Sequence, residues 1–100
     1  MTTDESLIQQ FEAVTLRGIE EGKRLFSYNP TRYLQIVRER GAVGAAKQVL
    51  RRGPIPGGFV TLAHINRRPD LTTEYTALMP EFQELFTEEE LAVARERLGR

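Results

Sequence analysis

His64 is the only histidine in the chain, and there is no cysteine. A hydrolytic triad or a zinc centre needs an imidazole with companions at set spacings. Neither His-x-x-x-His nor Glu-x-x-His occurs around His64, which reads as a packed or pocket-rim histidine. Ser6 and Ser27 are the only serines, and neither stands in a Gly-x-Ser-x-Gly elbow. "GPIPGG" (53–58) is glycine-rich but lacks the Gly-Lys-Ser/Thr ending of a phosphate loop, and its prolines remove amide donors. Glu88, Glu89 and Glu90 point in different directions on a helix, and first-turn dipole complementarity explains them. Asp70 and Glu74 are spaced to approach each other, yet nothing positive favours acid/base chemistry there. The expectation is therefore no catalytic residue, no metal and no cofactor.

The strongest pattern is basic. In "RERGAVGAAKQVLRR" (38–52), a 100° turn per residue puts Gly44, Lys47, Gln48, Arg51 and Arg52 on one arc. Ala42, Val43, Ala46, Val49 and Leu50 fall on the other. Arginine and lysine suit phosphates, and glutamine can pair with adenine. Arg38 and Arg40 lie just before the turn, and Arg67 and Arg68 form a second basic pair. These nine residues are the candidate nucleic-acid contacts. The register does not fit a helix-turn-helix: with Gly41 as the turn glycine, Arg40 and Lys47 fall where that motif buries apolar side chains. "GAVG" resembles a KH-type Gly-x-x-Gly loop only in its glycines, since the flanking strands are missing.

Charge is distributed in blocks around this stretch. Residues 1–22 carry −4, residues 23–68 carry +9 and residues 69–100 carry −5, within a chain whose formal charge is zero. Such blocks suggest an acidic partner for the centre. The alternative is intramolecular: the acidic ends pack beside the basic centre and neutralise it.

The elements that must position these residues read as helices. One hundred residues with 40% apolar content fit one small domain with a modest core. Thr2 and Glu5 fit a capping box. Leu7, Ile8, Phe11, Val14, Gly18, Ile19, Gly22, Leu25 and Phe26 make a stripe along a long first helix. Gly18 and Gly22 lie in that stripe and would let another helix, in this chain or a second copy, approach closely, or mark a break near residue 22. Asn29 as N-cap and Pro30 as first residue open a second helix that Gly41 ends. A third helix covers about 42–52, and a short fourth, "FVTLAHIN", ends before Pro69. Thr72 opens "TTEYTALM", and Pro80 interrupts it. "PEFQELF" buries Phe82, Leu85 and Phe86 in an irregular turn. Thr87 with Glu90 caps the last helix, which Gly99 ends. No alternating β-branched run predicts a strand.

"GAVGAAKQVL", "GGFVTL" and "RPDLTTEYTALMPEFQELFTEEELAVARERL" together resemble a small helical module of uncharacterised bacterial proteins. The likeness covers roughly the last 70 residues. One departure is Ala63–His64, where the module carries Trp-Glu. The resemblance implies a compact bacterial helical domain and assigns no activity.

The sequence thus predicts one all-α domain over 1–100: a long helix (1–26) and the module-like part (28–100), five to six helices in all. The longest uncharged run, 53–66, is too short to cross a bilayer, and the acidic N-terminus is unlike a signal peptide. A cytoplasmic location is expected. The expected role is a non-enzymatic binding module for DNA or RNA. The alternative is a protein-interaction or regulatory module, homodimeric through Gly18 and Gly22.

Overall fold

The computed structural model describes residues 5–100 and forms an all-α bundle, with no strand among the described residues. The Thr2 capping box lies outside them. Helix α1 (Glu5–Phe26) packs along α2 (Thr31–Val49). A short helix α3 (Gly57–Phe59) widens at once into a π-helical turn, Val60–Ile65. A 3-10 turn (Pro69–Leu71), α4 (Thr73–Ala77), a second 3-10 turn (Pro80–Leu85) and α5 (Glu88–Leu98) follow.

Gly41 divides α2 into two limbs. Its backbone (φ 80°, ψ 166°) lies where only glycine is at ease, so the helix breaks there and restarts in a new direction. Each limb turns its small or branched residues inward: Val37 from the first, Ala42, Ala45 and Ala46 from the second, with Leu50 just past its end. They meet Phe11 of α1, which sits edge-on to Phe82 and Phe86 with ring centroids 5.3 Å away in both cases. Ala77, Leu91 and Ala94 close the core, and their small size lets α4 and α5 come near.

Two boundaries differ from the sequence expectation. Pro30, not Asn29, takes the N-cap of α2, and no side chain caps that end. Asn29 instead accepts the Thr31 amide through its backbone carbonyl oxygen at 2.9 Å, in a tight turn. The second limb stops at Val49 rather than Arg52. The reason is Arg97 of α5. Its guanidinium donates to the Val49 carbonyl at 2.7 Å and the Arg51 carbonyl at 2.9 Å, satisfying the helix end from outside. The expected caps at the other end of the chain are present. Thr72 accepts the Tyr75 amide at 3.1 Å, Thr87 and Glu90 form a reciprocal box, and Gly99 is left-handed (φ 76°).

Candidate functional site

The basic face is largely spoken for. Lys47 Nζ lies 2.9 Å from Glu90 Oε1 and 5.4 Å from the centre of the Phe86 ring. Arg52 bridges two acids of α5, with Nε 2.7 Å from Glu89 Oε2 and Nη1 2.9 Å from Glu96 Oε1. These contacts raise the Arg52 pKa, Glu96 contributing first and Glu89 next, and hold Glu96 below its usual value. Burial works against the charge of Glu90, but the Thr87 amide and Lys47 outweigh it and hold its pKa low. Arg68 grips Asp70 with two bonds of 3.0 Å. Gln48 and Gly44 are half-buried, and a Cβ on Gly44 would come 2.9 Å from Arg40 Cβ. Arg38, Arg40, Arg51 and Arg67 remain exposed, with no ion pair among the described residues. The arc therefore does not present one joined set of open cations: α5 neutralises its Lys47 and Arg52.

Gly18 and Gly22 also face inward. A Cβ at Gly22 would meet the Tyr28 ring at 3.1 Å and Leu62 at 3.6 Å, and one at Gly18 would lie 3.6 Å from the Leu71 carbonyl oxygen. Gly22 is buried in a close approach within the chain, while Gly18 is half-buried and lines the cleft between α1 and the start of α2. On α1 the exposed apolar side chains are Ile8, Leu16 and Leu25. His64 is exposed, edge-on to Phe59 with centroids 5.5 Å apart.

A cleft of about 780 Å³ opens between α1, the start of α2 and the segment from Pro56 to Thr76. Val14, Ile19, Ile36, Phe59, Leu62 and Leu71 give it apolar walls, and Tyr28 and Tyr33 add two rings with hydroxyl tips.

Local backbone geometry sets several of these side chains. Ser27 ends α1 in the left-handed region (φ 56°), which lets the Tyr28 amide reach back to the Gly22 carbonyl at 3.2 Å. The Tyr28 ring then lies against Gly22, and its hydroxyl stands where a Cβ on Gly58 would be. The π-turn ends in the same way. Arg67 is left-handed (φ 56°), and the Arg68 amide reaches back to the Leu62 carbonyl at 2.8 Å. Ser27 and Arg67 are the only non-glycine residues with positive φ among those described, and each precedes a residue lining the cleft.

A buried, paired carboxylate also lines the cleft. Glu74, in the first turn of α4, is only 2% exposed. Arg97 Nη1 holds its Oε2 at 2.8 Å. Burial raises the Glu74 pKa despite that partner. Beside it the Tyr33 hydroxyl shares a 3.0 Å hydrogen bond with Thr73 Oγ1. Burial pushes Tyr33 up to about 12, and burial followed by the Glu74 charge raises Tyr28. Both hydroxyls therefore stay protonated near neutrality and can donate.

Sequence reasoning placed none of the cleft among its candidate sites except Arg68 and Gly18. Glu74 reads in sequence as a helix-start acid, because that is also its local position. A signal was present nonetheless: Gly22, Tyr28 and Gly58 are residues for one close approach, and "GGF" opens the wall. Among the described residues no group of three or more metal-ligating side chains gathers, and no helix is long and apolar enough to cross a membrane.

Neither a family model, nor a curated protein, nor a solved structure matches this chain.

Proposed function

We propose that this chain is a non-enzymatic binding module whose ligand seats in the cleft between α1, α2 and residues 56–76. The observation that carries this reading is an apolar cleft of about 780 Å³ lined by the buried, paired Glu74 carboxylate. Small-molecule sites have this make-up: a concave, mostly apolar volume of roughly 300–1,000 Å³ with a few convergent polar groups. The backbone supports it as well. Left-handed non-glycine residues cost about 1–3 kcal/mol each and gather where side chains must be aimed. Here both aim residues into one cleft. The π-turn that carries Leu62 is a further departure of the kind found at functional positions.

Binding rather than catalysis is favoured by the state of the ionisable groups. Glu74 is tied to Arg97, and both tyrosine hydroxyls are shifted away from neutrality rather than towards it. The basic face is the second-ranked surface, because Glu89, Glu90 and Glu96 already meet Lys47 and Arg52.

The test is fluorescence titration with the apolar anionic dye 1-anilinonaphthalene-8-sulfonate. Enhancement that saturates at one dye per chain, persists in Arg38→Glu/Arg51→Glu and is lost in Ile36→Asp, checked for folding by circular dichroism, supports the cleft. Enhancement abolished by the double arginine variant and unchanged by Ile36→Asp refutes it.

A further inference from the structure

We propose that the cleft takes an amphipathic anion: an apolar body lies between its walls, and an acidic head is drawn by the unmatched guanidiniums of Arg17 and Arg32. This rests on the cleft being the binding site.

The balance of charge along the cleft carries the proposal. Three acids line it, and each is already matched. Glu74 is held by Arg97 at 2.8 Å and by its own backbone amide. Arg24 holds Glu21 at 2.9 Å, and Arg68 holds Asp70 with two bonds of 3.0 Å. Arg17 and Arg32 line the same cleft and are exposed. Neither has a carboxylate partner among the described residues. Once the pairs are formed, the cleft keeps these two positive charges and no free negative one.

Helix stability does not account for Arg32. It stands in the first turn of α2, at the positive end of the helix dipole, where an acid is favoured and a cation is opposed. That turn holds no acidic side chain, and no side chain caps it. Tyr28, also in the lining, finds no side-chain acceptor among the described residues, so its hydroxyl adds a donor and no further acid.

The walls decide the rest of the ligand. Val14, Ile19, Ile36, Phe59, Leu62 and Leu71 offer apolar surface, and an apolar body that covers it leaves water. A carboxylate head on that body pairs with guanidinium groups, which suit it in charge and in shape. A neutral apolar molecule would fill the walls and leave both cations unused. A cationic amphiphile would meet only acids that are already paired, beside two arginines that repel it.

The test compares two dyes of one ring system on the full chain: 1-anilinonaphthalene-8-sulfonate and N-phenyl-1-naphthylamine, which lacks the sulfonate. The sulfonate dye should bind about ten-fold more tightly, the size expected of two exposed ion pairs. Decanoate and 2-naphthoate should displace the uncharged dye. Decyltrimethylammonium, with a chain of equal length and the opposite charge, should need about ten-fold more. Whichever carboxylate displaces better identifies the body as alkyl or aromatic, and either supports the proposal. Arg17→Ala/Arg32→Ala changes only exposed side chains. It should keep the uncharged dye, which reports an intact cleft, and lose the preference for the sulfonate. Equal affinity of the two dyes in the wild type, a preference that survives the double variant, or decyltrimethylammonium matching both carboxylates overturns the proposal and leaves the cleft reading standing. If neither dye saturates at one per chain, both fall.

Discussion

Arg97 links three parts of the molecule with one guanidinium. It neutralises Glu74, and it accepts the task of ending the second limb of α2 through the Val49 and Arg51 carbonyls. With 5% and 2% side-chain exposure, Arg97 and Glu74 form a pair whose loss leaves a buried charge behind. Arg97→Met should cost about 3–5 kcal/mol in urea unfolding. Adding Glu74→Gln should recover part of that loss, because the stranded carboxylate is then gone. Glu74 also sets a pH dependence. Its folded pKa is raised above the ordinary 4.5, so between those two values the native state holds the proton that the unfolded chain has released. The contribution of Glu74 to stability is thus fullest below 4.5 and declines as pH rises through the folded value. Asp70, Glu90 and Glu96 act in the opposite sense: their contributions are present above the ordinary carboxylate values and are lost as pH falls through the depressed folded values. The difference in unfolding free energy between wild type and Glu74→Gln, followed from pH 4 upward, should fall with rising pH; a rising difference would contradict the assignment.

At the scale of elements, most of the fold was legible. Caps at Thr72 and Thr87, glycines at 41 and 99, and the stripe of α1 act locally, and local signals survive in sequence. Thr87→Ala should lower stability by about 1 kcal/mol, read as a shift of the thermal midpoint. Gly41→Ala forces a Cβ into a backbone region that glycine alone tolerates, and should cost about 1–3 kcal/mol although a Cβ there meets no neighbour within 4 Å. The misread boundaries have tertiary causes. The second limb of α2 ends where an arginine 48 residues away supplies donors, and helical periodicity carries no trace of that. The π-turn was hidden as well, since "FVTLAHIN" reads as an ordinary short helix.

For the whole molecule, the blocks of charge resolve in favour of internal pairing at the two cations that meet α5. Lys47 and Arg52 lie within a segment of +9, and their partners come from the acidic end of the chain. The basic arc was legible as a pattern, but its partners were not, because pairing depends on which helices become neighbours. The cleft was still less visible: its walls come from α1, α2 and the 56–76 segment, and each wall residue looks locally like core. The most direct measurement is an amide chemical-shift map of the labelled chain with the anilinonaphthalene dye, set beside one with a short mixed-sequence DNA duplex at physiological salt. Binding through the cleft predicts dye-induced shifts gathered at residues 17–19, 28–36 and 58–76, with residues 38–52 nearly unmoved by the duplex. Cleft amides that stay fixed under saturating dye, together with strong duplex-induced shifts across 38–52, would contradict it.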